Sequence, residues 1–215
     1  MRPLVLQMQI TVDGFVAGPN GELDWIFESF DDAANAWIVE HAWRAGLHIM
    51  GSRSFQDMAS YWPSSPEPVA AAMNEIPKAV FSRSGRGRAA PTQGLVDGLR
   101  NRAEQGTGGK AVDPAALKSW AEPYVASGDL EQEIARLKGQ SGKEILAHGG
   151  AGFARSLVRT GLVDEYRLLV HPVALDRGLP LFADLPQPLG LTLVSSTPFP
   201  GGIVPQVYHV SSAAR

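Results

Sequence analysis

The chain contains no cysteine. That absence excludes disulfides, thiolate zinc sites, iron–sulfur clusters and cysteine nucleophiles. It fits a reducing cytoplasm, which is the expected compartment. No apolar run approaches the length of a membrane span. Met1-Arg2-Pro3-Leu4-Val5-Leu6-Gln7 enters a strand-like pattern at once, without the apolar core and cleavage site of a signal peptide. A G-x-x-x-x-G-K-[ST] phosphate loop is missing, which argues against an ATPase or GTPase. A G-x-S-x-G elbow is missing too, which disfavours a serine hydrolase. The five histidines lack metal-ligand spacing, so no metal site is expected. His148 and His171 both follow strands, and this reading lets them approach one another. A net charge of only -3 offers no bulk attraction to nucleic acid or to an anionic membrane.

What is present is globular. The chain has 215 residues, 44% hydrophobic and 19% charged, enough for one domain with a sizeable core. Leu4 to Ile10 reads as a first strand, and Asp13-Gly14 and Gly18-Pro19-Asn20-Gly21 as turns. Asp31 or Asp32 caps a helix with the stripe Ala34, Trp37, Ile38, Ala42 and Ala45, ended by Gly46. Further strands are expected at Leu47–Met50, Lys78–Phe81, Tyr124–Ala126, Asp164–Val170, Leu191–Ser196 and Val204–Val210. A helical stretch runs to about Tyr61, and Asp129 with Gln132 suggests a capping box for another helix. Strands alternating with helices predict an α/β fold. Its central sheet is mostly parallel, in three layers, with antiparallel strands at the C-terminal edge.

Composition shifts between residues 85 and 119, which carry six basic and three acidic side chains. This stretch reads as an insertion within a single domain, 1–215, either a partly mobile surface excursion or a lid or subunit-contact arm, and within it Asp113-Pro114 reads as a cap followed by proline at the first helical position.

The most informative segment is Lys143 to Phe153, K-E-I-L-A-H-G-G-A-G-F. An apolar strand end runs into Gly149-Gly150-Ala151-Gly152, and Phe153, Ala154, Leu157, Val158 and Leu162 then repeat with a helical period. Strand, glycines, helix lets backbone N–H groups hold a phosphate. Gly51-Ser52-Arg53-Ser54 and Ser82-Arg83-Ser84 follow strands in the same manner. In a parallel sheet all three lie on one rim, where ligands bind. Arginine forks and serine hydroxyls suit phosphate oxygens. The glycine segment does not match G-x-G-x-x-G, because Arg155 occupies the third glycine position.

Several motifs then align in order: Gln9-Ile10-Thr11-Val12-Asp13-Gly14-Phe15-Val16-Ala17, Asp24-Trp25, Ile49-Met50-Gly51-Ser52-Arg53-Ser54-Phe55, Ala79-Val80-Phe81-Ser82-Arg83, His148-Gly149-Gly150-Ala151, and Gly161 to Phe182. With them the chain resembles the dihydrofolate reductase-like family, in the bacterial branch related to the reductase domain of riboflavin biosynthesis. The resemblance implies NADPH-dependent hydride transfer to a small pterin-like or pyrimidine-like heterocycle, and a homodimer. It places Ala17 beside the nicotinamide on a mobile loop, and Gly51, Ser52, Arg53 and Ser54 at cofactor phosphates. Ser82 and Arg83 would flank the adenosine 2′-phosphate. Gly149, Gly150, Ala151 and Gly152 would wrap the pyrophosphate, with Phe153 near the nicotinamide end. Ser52 stands where the family usually shows a second arginine. Proton-donor candidates are Asp24, Glu28, Asp31 and Asp32, with Asp31 and Asp32 also readable as helix caps; Asp24, Trp25 and Glu28 form the catalytic set. Trp25, Trp37, Trp43 and Trp62 read as core or pocket walls, and Trp62 and Met58 could face a flat substrate. The alternative is a nucleotide-binding sensor or assembly protein without turnover.

Overall fold

The computed structural model describes residues 1–82, 91, 97, 98 and 114–211. Eight strands form one sheet in the order β5-β4-β3-β6-β1-β7-β10-β9. They are β1 (Leu4–Thr11), β3 (Ala45–Gly51), β4 (Lys78–Phe81), β5 (Tyr124–Ala126), β6 (Glu144–Ala147), β7 (Glu165–His171), β9 (Leu191–Ser196) and β10 (Val204–Val210). β5, β4, β3, β6, β1 and β7 run parallel, whereas β10 pairs antiparallel with β7 and with β9. Two short strands, β2 (Phe15–Ala17) and β8 (Leu179–Pro180), make a separate antiparallel pair. The expected sheet is therefore present, with its antiparallel strands at the C-terminal edge.

Helices cover both faces. Helices α1 (Asp32–Arg44), α2 (Ser52–Tyr61), α3 (Ala70–Glu75) and α4 (Pro114–Ala121) lie on one face, and α5 (Leu130–Gly139) and α6 (Ala151–Thr160) on the other. Leu4, Leu6, Met8 and Ile10 of β1 pack with Ile134, Leu137, Ala154, Leu157 and Val158 of α5 and α6. On the opposite face Val5, Met50, Val80 and Leu146 meet Ala42, Phe55, Ala59, Ala72, Met73 and Trp120. Alternation along β1 explains this division: odd and even positions face opposite layers.

Three boundary expectations need correction. The first helix ends at Arg44 and β3 starts directly at Ala45, so Gly46 is a strand residue beside a register shift rather than a helix stop. β7 begins at Glu165; Asp164 instead accepts the Leu4 amide at 2.7 Å and pairs with Lys138 at 2.6 Å. The proposed 85–119 excursion does not reach 119 as a surface feature. Pro114 opens α4, whose Ser119 accepts from buried Lys78 at 2.7 Å and whose Trp120 is fully buried. Trp120 lies 5.6 Å from the Phe55 ring, beneath the Lys78 ammonium, and donates to Asn74 at 2.8 Å. The core thus extends into α4. No helix among the described residues is long and apolar enough to cross a membrane.

Candidate functional site

β4, β3 and β6 are adjacent and parallel, so their last residues Phe81, Gly51 and Ala147 end on one rim. The helices starting at this rim differ in how their first amides are satisfied. Asp31 caps α1 through the Ala34 amide at 2.7 Å, and Asp129 caps α5 through Gln132 at 3.0 Å. α2 and α6 start from Gly51 and Gly150 with no side-chain cap. An uncapped start leaves amide donors and the positive end of the helix dipole available to an anion.

These two starts converge. A side chain at Gly150 would stand 3.0 Å from the Ser54 hydroxyl, and one at Gly51 would stand 3.1 Å from the Phe153 Cβ. A side chain at Gly149 would meet Met8 at 3.2 Å, whereas the space around Gly152 is open. The Gly149–Gly150 peptide is cis. Ser52 and Ser54 are half-buried, and Arg53 is exposed with no ion pair among the described residues. Phe153 lies 5.1 Å from the Phe81 ring, on the β3–β4 side of the glycine loop. Ser82 continues β4 by hydrogen bonding to the Ala126 carbonyl at 3.4 Å. Arg83 lies outside the described residues.

Ala17 is buried in β2 and paired with Leu179, so the segment expected to be a mobile loop is tied to β8. Asp13 reinforces the tie. It accepts from the Thr11 hydroxyl and from the Leu175 and Asp176 amides, the last two at 2.9 Å. These bonds hold its carboxyl below the ordinary range, the Thr11 bond most of all. Gly178 is required here, because a side chain would collide with the Ala17 carbonyl. In a one-turn helix at Asp24–Ile26, Trp25 is buried while Asp24 is exposed; Glu28, just beyond it, is exposed as well. Asp31 is occupied as a cap and also accepts the Gly201 amide at 2.6 Å, and Asp32 lines an open groove along α1 with Asn35, Val39 and Pro68. The structure therefore brings the glycine loop, α2 start and Ala17 to one end of the sheet, and leaves both loop carboxylates facing solvent.

Polar groups line the α1-facing side of the sheet; sequence reading singled out His148 but missed His48 and the burial of Lys78. His48 in β3 is fully buried, and its ring lies 4.7 Å from that of His148. Among the described residues the His48 ring nitrogens and His148 Nε2 make no hydrogen bond, although the Ala42 carbonyl weakly favours His48 protonation. Burial pushes the His48 imidazolium well down and that of His148 to about 4. Lys78, buried and pushed down to about 6, donates to Ile76 at 2.6 Å and to Asn74 at 3.3 Å. His148 thus meets His48 rather than His171. His171 sits across β1, where it bonds Ser29 and Gln9. The available signal was the alternation Gln7-Met8-Gln9 in a central strand, where a strand covered on both faces is normally apolar throughout. Trp62 packs against the same core with Met58, and its Nε1 has no partner among the described residues.

Comparison with known proteins gives a consistent result. The uncharacterized proteins YyaP and YwjB of Bacillus subtilis are 29% identical over 213 residues and 34% identical over 209 residues. Each alignment covers 97% of this chain, with 95% of YyaP and 98% of YwjB. The riboflavin biosynthesis protein RibD of Corynebacterium ammoniagenes is 25% identical over 183 residues, 85% of this chain and 47% of that protein. Among solved structures, a pyrimidine reductase-like protein from Corynebacterium diphtheriae superposes with TM-score 0.60 at 15% identity, covering 98% of this chain and 92% of that one. Enterococcus faecalis dihydrofolate reductase, complexed with NADP(H), superposes with TM-score 0.55 at 11% identity, covering 98% and 97%. Both superpositions show the dihydrofolate reductase-like fold. The RibD C-terminal domain pattern matches residues 2–205, and the chain belongs to the RibD C-terminal domain family.

Proposed function

We propose that this protein is an NADPH-dependent reductase of a small pyrimidine-like or pterin-like heterocycle. The observation that carries the reading is the convergence of two uncapped helix starts, at Gly51 and Gly150, on one rim. Glycine at 149 and 150 keeps that rim clear for close backbone approach, so the residues present fit a dinucleotide.

Gly149, Gly150, Ala151 and Gly152 would hold the pyrophosphate, and Ser52, Arg53 and Ser54 would hold further phosphate oxygens. Ser82 and Arg83 would take the adenosine end and set the preference for NADPH over NADH. Ala17 and Phe153 would frame the cofactor along the rim. When bound, NADPH supplies the hydride. Buried Trp25 closes the substrate side against water, and Asp24 or Glu28, or water itself, brings the proton. The relatives named for pyrimidine reduction and riboflavin biosynthesis support the substrate class. A cytoplasmic homodimer completes this reading.

Calorimetric titration with NADPH and NADH, followed by reduced-nicotinamide absorbance against a panel of pterins and pyrimidines, tests it. Binding with turnover of a panel member is expected. No binding of either nucleotide at millimolar concentration overturns the assignment. The exposure of Asp24 and Glu28 favours a second reading, a nucleotide-binding sensor; cofactor binding without oxidation across the panel would select it.

A further inference from the structure

We propose that Gln9 reads the substrate ring, with His171 and Ser29 as positioning residues that aim its carboxamide. This rests on the reductase reading and adds the residue that decides which ring edge is accepted.

His171 is completely buried at the end of β7. Its Nδ1 lies 2.7 Å from the Ser29 hydroxyl and its Nε2 lies 2.7 Å from Gln9 Oε1. A carboxamide oxygen only accepts, so Nε2 carries the ring proton and Nδ1 accepts from Ser29. Burial pushes the His171 imidazolium down to about 4, so the ring keeps a single proton at neutral pH. Trp25 edge-on at 5.1 Å and Phe30 tilted at 5.9 Å fix the ring plane. The His171 bond holds the Gln9 oxygen on the β7 side, so the amide hydrogens are the end of the carboxamide turned away from it.

Gln7 stands two residues back on the same face of β1, roughly 7 Å away along the strand. Its Oε1 is buried and has no hydrogen-bond partner among the described residues. Trp25, which flanks His171, holds a further buried N–H without a partner. The Gln9 amide as donor and the Gln7 oxygen as free acceptor, on one face of β1, suit a lactam edge, in which a ring N–H adjoins a ring carbonyl. Gln9 donates to the carbonyl oxygen and Gln7 accepts from the ring N–H. A ring with an amino group in place of the carbonyl, and an unprotonated nitrogen beside it, presents the reverse pattern. It leaves the Gln9 carboxamide, whose orientation His171 holds, mispaired, and a buried mispaired group is where discrimination is largest.

The test uses pterin, which has the lactam edge, and diaminopteridine, which has the reversed edge. Both are titrated into the full chain, with and without saturating NADPH, and followed by tryptophan fluorescence. Wild type is expected to bind pterin at least about tenfold more tightly. Gln9→Glu keeps the acceptor for His171 but presents a second oxygen, so the order of the two ligands reverses. His171→Phe frees the carboxamide to rotate, and the preference falls toward unity; a merely structural role would leave the ratio unchanged. Nitrogen-15 NMR of the ligand-free protein supplies a readout that needs no variant: His171 is expected as the Nε2–H tautomer. The Nδ1–H tautomer, equal binding of the two rings, or binding of neither overturns this inference. Separate calorimetry with NADPH alone decides the reductase reading, so the two failures are distinguishable.

Discussion

The Ser54 hydroxyl lies where a side chain on Gly150 would point, 3.0 Å from the Cβ position, so the starts of α2 and α6 close on each other only because residue 150 is glycine. The two residues are 96 positions apart in the chain.

Gly150→Ala forces Ser54 to shift by a few tenths of an ångström and places a methyl in the path of a phosphate. The expected outcome is a loss of NADPH affinity of about tenfold, close to 1.4 kcal/mol. The change in melting temperature should be small, because the displaced neighbour is a hydroxyl rather than backbone. Calorimetry and thermal melts on the same preparation check both halves. Unchanged affinity would remove the pyrophosphate from this turn.

Protonation of the buried imidazoles should make the protein acid-sensitive. His148 and His171 are both held at about 4 by burial, against an ordinary value of 6.5. The unfolded chain therefore binds more protons between those values, and stability falls as pH drops from 6.5 toward 4. Each group contributes up to about 3 kcal/mol over that window. Lys78 has the same sign higher up: stability rises with pH from about 6 to its ordinary 10.5. Urea denaturation at steps through both windows measures the slopes. His148→Asn should flatten the acid slope by roughly the share of one imidazole, and a stability flat from neutrality to pH 4.5 would contradict the burial of these rings.

Trp120 tests whether α4 belongs to the core. Its truncation to alanine removes the ring under Lys78, the contact with Phe55 and the bond to Asn74. A cost of about 3–5 kcal/mol is expected in chemical denaturation. Deletion of residues 85–112, which spares α4, should cost far less than deletion of 85–119. Equal costs for the two deletions would place α4 outside the cooperative core.

Much of the architecture is legible in the chain because it is locally encoded. The strands β1, β4, β5, β9 and β10 follow from apolar and alternating runs, and the starts of α1 and α5 from Asp31 and Asp129. The boundary at Ala45 was not legible. Gly46 is a helix-stop residue by composition, yet pairing of β3 with β6 draws it into the sheet. Trp120 was obscured by the Gly- and Arg-rich residues before it, since composition reports solvation and not what a later helix packs against.

The order of residues determined the elements, their caps and the glycines at the strand ends, because capping and periodicity act within a few positions. Only the tertiary structure decided that β6 lies between β3 and β1, bringing Gly150 to Ser54 and His148 to His48. It also decided that His171 reaches Gln9 across 162 positions and fixes which end of that carboxamide is turned away from it. Strand pairing and burial are non-local, and the choice of partner for a buried polar group is made there.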